Sequence, residues 1–317
     1  MTHSAHNSIT ILIATKNRKE QLVVLLNSIY NSSVLPDKIV IVYAGQDITE
    51  ILDLFHQKLK IELIYSSISS QSYQKKLGIR SLHKTEGWVL FLDDDLIVEN
   101  TALEKLQKNY LFNKNIDKYG GIGMSIKNLN KSRPSFLTRY ILLMMNLYSN
   151  KPGSILKSGH PQSYLTEQKN CEVSWLNGAS VWRADVIDCY GVQNLKTKYS
   201  AYEDVFFSYQ ISKRYKLLYA SDVFISLQEV SGKGGTAGDQ FKYASYLRFF
   251  FVDLNKEFSK FLLLYSQVFR SFEFVIYGTK DLSVMRRIDL VLRIYLNLVK
   301  AAICKTKGID LVDENLI

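Results

Sequence analysis

The stretch WVLFLDDDLIV, residues 88–98, sets three consecutive aspartates between two apolar runs. An apolar run such as WVLFL suits a strand buried on both faces. Three carboxylates directly behind it repel one another, so they form either an acidic surface loop or a cradle for something positively charged. The flanking sequence bears on that choice. SITILIA (8–14), KIVIVYA (38–44) and IELIYSS (61–67) are strand-like runs of the same kind. Between them, NRKEQLVVLLNSIYNS (17–32), ITEILDLFHQKL (48–59) and QSYQKKLGIRSLHK (71–84) read as helices, the first with Leu22, Leu25, Leu26 and Ile29 at helical spacing. This alternation predicts an α/β fold with a mostly parallel central sheet and helices on both faces. Ligands of such sheets sit beyond the carboxyl ends of the strands. Asp93, Asp94 and Asp95 fall at that edge, with Ala14, Thr15 and Lys16 after the first strand and Tyr43, Ala44 and Gly45 after the second.

Further along, the pattern loosens. A helical stretch near 136–148 precedes a polar loop, and VSWLNGASVWRADVIDCYG (173–191) turns from strand to helix. AYEDVFFSYQISKRY (201–215) reads as a helix, KLLYASDVFISL (216–227) as a strand and GKGGTAG (232–238) as a flexible connection. From about residue 240 the chain reads as helices dense in aromatic and basic residues, with YLRFFFVDLNKEF (246–258) as core. In 283–303, Arg286, Asp289, Arg293, Asn297 and Lys300 share one helical face and Val284, Ile288, Val291, Tyr295 and Leu298 another. That arrangement suits either a helix capping the core or an interfacial helix with a basic face at a membrane surface.

The chain has 317 residues, 47% hydrophobic and 22% charged, enough for one large domain or one domain with a sizeable appendage, and too apolar for disorder except at the termini. Its net charge of +10 points to a polyanionic partner: nucleic acid, an anionic membrane surface or a phosphorylated small molecule. The lack of an RNP motif or paired Cys/His ligands argues against nucleic acid. Cys171, Cys189 and Cys304 have no CxxC spacing, which argues against a zinc site or disulfide framework and for buried or partly buried thiols. The N-terminal sequence lacks the basic segment and long apolar run of a signal peptide. No uninterrupted apolar stretch reaches the roughly 18–20 residues of a membrane span. The expected location is cytoplasmic.

Three acidic residues at the ligand edge suit Mg2+ or Mn2+, which takes one or two carboxylates and completes its shell with water and substrate phosphates. Such an ion neutralises charge developing on a leaving diphosphate. Glu203 and Asp204 in AYEDVFF open a helix, where they either answer the helix dipole or supply a general base. WLNGA (175–179) offers an aromatic surface and an Asn-Gly turn that fit a sugar ring or, equally, core packing. His160 in SGHPQ is either a solvated loop residue or a neighbour of an acceptor. Lys233 is either part of a plain linker or a phosphate clamp on a mobile segment.

Taken in order, ATKNR, DDD, WLNGA and ED resemble the family-2 glycosyltransferases of the GT-A fold over residues 8–230. GSILKSG (153–159), WLNGASVWRADV and YEDVFFSYQISKRYKLLYASD look like bacterial enzymes that build O-antigen, capsule or other surface polysaccharide. The resemblance implies that Ala14, Thr15, Lys16, Asn17, Arg18, Lys75, Asp93 and Asp94 bind a nucleotide-diphosphate sugar. It implies Asp93 and Asp95 as ligands of Mn2+ or Mg2+, and Trp175, Asn177 and Gly178 as the sugar or acceptor contacts. Asp204, beside Glu203, is the implied base in an inverting displacement by a hydroxyl of a lipid-linked glycan at the inner face of the cell membrane. The implied layout is a catalytic domain over 1–238, with a nucleotide-sugar half to about 123 and an acceptor half after it, and a helical C-terminal extension over 239–317 that meets the membrane surface. The sequence departs from the family pattern at several points. Lys16 stands for the usual tyrosine, the aspartate after the second strand is missing, and Lys75-Lys76 replaces Arg-Asn. The histidine after the last strand is also absent, leaving Gln228 or Glu229 as stand-in ligands. The competing readings are a non-catalytic GT-A-fold scaffold or carbohydrate-binding protein, and a nucleotidyltransferase, the latter opposed by the lack of a glycine-rich phosphate loop near the first strand.

Overall fold

Strands β1 (Ile9–Lys16), β2 (Lys38–Ala44), β3 (Ile61–Tyr65) and β4 (Trp88–Asp93) lie parallel in the order β3-β2-β1-β4. The structure, a computed structural model, describes residues 8–82, 87–113, 116–128, 134–191, 202–229, 236–278 and 282–303; Lys233 and Cys304 lie outside them. The sheet continues through β5 (Leu96–Val98), β6 (Tyr119–Ile126), β7 (Cys171–Val173), β8 (Ser180–Arg183) and β9 (Lys216–Leu227). Its path is β3-β2-β1-β4-β8-β6-β9-β5, with β7 paired to β9. Beyond β4 the sheet becomes mixed, because β8 runs antiparallel to both neighbours and β5 and β7 run antiparallel to β9. The expected parallel sheet therefore holds for the first four strands and for the β6·β9 pair.

The strands are apolar on both faces because both are covered. Ile9, Ile11, Ile13, Ile39, Ile41 and Leu90 point into one core cluster. Helices α1 (Lys19–Tyr30) and α2 (Ile51–Phe55) fill it with Leu22, Leu25, Leu26, Ile29, Ile51 and Phe55. Leu12, Val40, Val42, Val89 and Phe91 point into a second cluster with Ile79 of α3 (Gln71–Ser81). Each such side chain contributes about 1.5–3 kcal/mol on leaving water. The first cluster also takes Ala102 and Leu103 of α4 (Ala102–Lys105), which runs on into a π-helical turn over Leu106–Leu111.

The chain divides into two compact units: Met1–Lys131, Tyr164–Asn194 and Phe207–Val230 in one, Ser132–Ser163, Leu195–Phe206 and Ser231–Ile317 in the other. In the first, β6 reads YGGIGMSI because large neighbours leave no room for side chains. Gly121 lies against the Trp182 ring and Gly123 against Leu176. The second contains α5 (Phe136–Met144). In the first unit, α6 (Ala184–Tyr190) adds Val186 and Ile187 to the second cluster, and the part of α7 (Glu203–Ser212) from Phe207 onward adds Phe207 and Ile211. Cys189 on α6 is exposed, contrary to the expectation of buried thiols, while Cys171 is half-buried and both are free.

The second unit further comprises α8 (Ala237–Leu254), α9 (Lys260–Tyr277) and α10 (Val284–Ile303). A capping box between Thr236 and Asp239 starts α8 inside the stretch expected to be a flexible connection. Tyr246, Leu247, Phe249, Phe250, Phe251 and Val252 of α8 are buried, as the aromatic run suggests. Of the faces expected for α10, the polar one holds, with Arg286, Asp289, Arg293 and Lys300 exposed, and the apolar one holds in part, with Leu298 buried and Val291 and Tyr295 half-buried. Its buried line is Arg287, Ile294 and Leu298, whereas Val284 and Ile288 are exposed and Asn297 Nδ2 donates to the Tyr246 hydroxyl at 3.0 Å. This helix is apolar around most of its circumference, so packing on α8 and α9, rather than its own pattern, selects the buried side. Arg287 also donates to the carbonyls of Leu282 and Val275, satisfying an acceptor in the last turn of α9. No described helix is long and apolar enough to cross a membrane.

Candidate active site

The register of β1 against β4 sets Ala14 beside Asp93, so the loop after β1 meets the acidic turn after β4. The middle aspartate turns inward. Asp94 is buried and accepts hydrogen bonds from Thr15 Oγ1 at 2.7 Å and from the Arg18 guanidinium at 2.8 Å. Its two neighbours stay accessible, with 36% of the Asp93 and 38% of the Asp95 side chain exposed. Arg18 reaches Asp95 as well, at 3.6 Å. Burial pushes the Asp94 carboxyl above the usual carboxylate range, against the opposing effect of its bonds to Thr15 and Arg18. Burial also raises Asp95, and the charges of Asp93 and Asp94 add to the rise. Burial works against the charge of Arg18, but the Asp94 bond and the field of all three aspartates hold its pKa above the ordinary value. Asp94 is thus a latch between two loops, and at Asp95 the repulsion of the neighbouring carboxylates is what a further cation relieves.

Asp93 is held from several sides. Gln71 Nε2 donates to its Oδ1 at 2.7 Å, and the buried Lys75 ammonium lies 3.9 Å from the same oxygen and 5.8 Å from the Phe91 ring centroid. Its other oxygen lies against Gly178, where even a methyl group would overlap it. The glycine of WLNGA is therefore a point of contact with the acidic turn. The rest of that motif is positioned by Tyr164, a fully buried residue that sequence reasoning missed. The Tyr164 hydroxyl accepts from the Asn177 amide at 2.7 Å and donates to Asn177 Oδ1 at 3.4 Å. Its ring packs edge-on against Trp175 and Tyr219, both at 5.0 Å. Asn177 Nδ2 is buried and has no hydrogen-bond partner, a donor left for a ligand or a water. Ser208 Oγ accepts from the Leu176 amide at 3.0 Å and fastens the same loop to α7.

The loops around the turn are cross-braced. Asn17 sits at φ +52°, and its Oδ1 accepts from the Gln46 amide at 2.8 Å. Gly45, at φ +80°, has no space for a side chain because the Asn17 carboxamide occupies it. Gln74 Nε2 donates to the carbonyls of Thr15 and Val42 at 2.8 and 3.0 Å, tying α3 to the ends of β1 and β2. Lys16 Nζ donates to Ser69 Oγ at 3.0 Å. Asp47, the acidic residue nearest the end of β2, is committed to the amide and hydroxyl of Thr49. Gln228 donates through its amide to the Asp95 carbonyl at 2.8 Å and through Nε2 to the carbonyls of Gln21, Asp94 and Leu96. Through these bonds Gln228 shapes the backbone of the acidic turn. Glu229 is exposed.

Glu203 and Asp204 fall in the second unit, where they open α7 directly after Tyr202. Glu203 is buried and Asp204 half-buried. Tyr202 adopts φ +80°, its hydroxyl donates to the Gly159 carbonyl, and its ring packs on Phe251. Next to Gly159, His160 is half-buried rather than fully solvated. Burial, helped by the charges of Arg248 and Arg270, pushes its pKa down to about 3 and keeps it neutral.

Among the described residues no group of three or more His, Cys, Asp or Glu side chains is arranged to hold a metal. What the acidic turn offers is a partial donor set of two accessible carboxylates, Asp93 being packed closely against Gly178. That set fits Mg2+ or Mn2+, which keeps waters and substrate phosphates in its shell, and does not fit an ion that demands a full protein cage.

Residues 10–158 match the family model described as Glycosyl transferase family 2. A search of curated proteins finds no significant match. Among solved structures, S. aureus TarS 1-349 in complex with UDP-GlcNAc is 16% identical, covering 93% of this chain and 81% of that one with a TM-score of 0.57. The mannosyltransferase PcManGT from Pyrobaculum calidifontis in complex with GDP-Man and Mn2+ is 12% identical, covering 97% and 81% with a TM-score of 0.53. At these identities the likeness is one of fold.

Proposed function

From the premise that residues 10–158 form a glycosyl transferase family 2 domain, which makes the protein a glycosyltransferase, we propose an inverting, metal-dependent transfer from a nucleotide-diphosphate sugar to a hydroxyl of a lipid-linked glycan. The pathway proposed is bacterial surface polysaccharide synthesis, O-antigen or capsule, at the cytoplasmic face of the membrane. One observation carries the reading: Asp94 turns inward as a latch while Asp93 and Asp95 remain outward at the ligand edge of the sheet. The nucleotide sugars and the Mn2+ bound by the two similar structures support the donor class and the ion.

When bound, Mn2+ or Mg2+ supplies charge neutralisation for the departing diphosphate. Asp95 and Asp93 would hold it, with Asp95 the principal ligand because Asp93 Oδ1 is already engaged by Gln71. The loop Ala14–Arg18, with Lys75 and Asp94 behind it, forms the nucleotide-sugar side. Arg18 brings a cation to the edge where the phosphates come to rest. Trp175, Gly178 and the unpartnered Nδ2 of Asn177 take the sugar, the indole against an apolar ring face and the amide toward a hydroxyl. Asp204 takes the proton of the attacking hydroxyl as its oxygen bonds to the anomeric carbon and the bond to the diphosphate breaks. In the proposed layout, residues 1–238 perform this chemistry and 239–317 form a C-terminal extension.

The test starts from a thermal-shift screen of UDP-, dTDP-, GDP- and CMP-sugars with Mn2+, in which the true donor raises Tm. With that donor, Asp95→Ala and Asp204→Asn should each reduce transfer by about 10²–10³-fold. Wild-type rates in both variants would overturn the proposal.

A further inference from the structure

Of the 26 large apolar side chains exposed among the described residues, 19 lie on α5, α9 and α10 of the second unit. Helix α9 is turned inside out. Its buried positions are Leu263, Ser266, Gln267 and Ser271, while Phe261, Tyr265, Val268, Phe272 and Ile276, at three- and four-residue spacing, face outward. The inward polar groups are bonded: Ser266 Oγ to the Leu263 carbonyl, Gln267 to Arg248 and Ser245, Ser271 to Tyr295. α10 shows a second outward stripe of Met285, Ile288, Leu292, Leu296 and Val299. α5, FLTRYILLM, buries no residue at all, and Phe136 is 87% exposed. Apolar surface on this scale marks an interaction site.

Charge selects the occupant. The second unit carries 19 basic and 11 acidic residues, a net +8, against 21 and 19, a net +2, in the first. The segment 132–163, which holds α5, has four basic residues and no acidic one. A second copy of the chain would bring two such excesses of like charge together, whereas an anionic lipid surface answers both the charge and the apolar stripes. We propose that the outward sides of α5, α9 and α10 bind an anionic phospholipid bilayer. The helices lie in the plane of the headgroup–acyl boundary, their aromatic and aliphatic residues buried in it and their basic residues at the phosphates. This placement stands apart from the transfer chemistry, because it uses none of the residues assigned to it.

The test is sedimentation of the full chain with vesicles of equal parts phosphatidylglycerol and phosphatidylcholine, against pure phosphatidylcholine, without nucleotide sugar. The wild type should pellet with the anionic vesicles and be released by high salt. Val268→Glu/Phe272→Glu and, separately, Leu137→Glu/Tyr140→Glu should each lower partition by roughly tenfold or more. All four side chains are exposed, so both variants should keep the wild-type Tm, and either one that does is sufficient for the comparison. Failure of the wild type to pellet, or full binding by folded variants, overturns the proposal. So does a dimer in sedimentation equilibrium that Val268→Glu/Phe272→Glu dissociates, since the stripe would then be a contact between copies. A negative vesicle result leaves the transfer assay untouched, and an inactive enzyme that still pellets separates the two in the other direction.

Discussion

The acidic turn after β4 and helix α9 both bury polar groups, and in each case named partners answer them: Thr15 and Arg18 for Asp94, Arg248 and Ser245 for Gln267. They differ in what faces outward. At the turn the outward groups are carboxylates, consistent with a cationic ligand. On α9 they are phenylalanine, valine, isoleucine and tyrosine, consistent with an apolar one. Burial therefore reports which side chains have found partners within the chain, and the outward residues report the chemistry of whatever comes from outside.

Unfolding measurements give the sharpest contrast between the two regions. Leu26→Ala, at a fully buried position of α1, should cost about 2–5 kcal/mol in urea unfolding. Phe272→Ala, at a position 68% exposed on α9, should stay within about 0.5 kcal/mol. Comparable losses would mean that α9 faces a core, and the comparison would fail. Next in size is Gly178→Ala, whose methyl group must push the Asp93 carboxylate aside. Its expected effect is a fall of about tenfold in kcat/KM, roughly 1.4 kcal/mol, with Tm little changed. Unaltered kinetics would show that Asp93 can shift freely.

The smallest effect concerns pH. The folded chain holds the protons of Asp94 and Asp95 more tightly than the unfolded chain does, since both carboxyls are raised mainly by burial. Stability therefore falls as pH rises from the ordinary carboxylate pKa to the raised folded one, and the cost is complete above that window. Asp95→Asn removes its share, so Tm should rise at pH 7, and the gain should vanish below the ordinary carboxylate pKa. A variant less stable than wild type at pH 7 would show that Asp95 is a structural anion rather than one kept for a ligand.

Much of the first unit was legible in the sequence because a strand buried on both faces writes itself as an unbroken apolar run, as in Ile9–Ala14 and Trp88–Leu92. The position of the three aspartates followed from that. Their division of labour was less legible, because it depends on Thr15 and Arg18, whose partners only the folded register identifies. β6 escaped notice because its glycines, required by Trp182 and Leu176, erase the strand pattern. Tyr164 lies in a polar loop and has no local signal, since its role depends on two bonds to Asn177 thirteen residues away. In the second unit, α9 and α10 are apolar over more than one face, so periodicity alone could not say which face packs on α8.

Gln228 closes the acidic turn from a position 134 residues beyond Asp94. As the chain emerges during synthesis, the aspartates appear early and their immediate partners Thr15 and Arg18 earlier still. The three hydrogen bonds from Gln228 to the carbonyls of Asp94, Asp95 and Leu96 await the end of β9. A nascent chain stopped short of residue 228 thus carries all three carboxylates without their final shape. The shape of the turn therefore depends on β9 having joined the sheet, long after the aspartates themselves have been made.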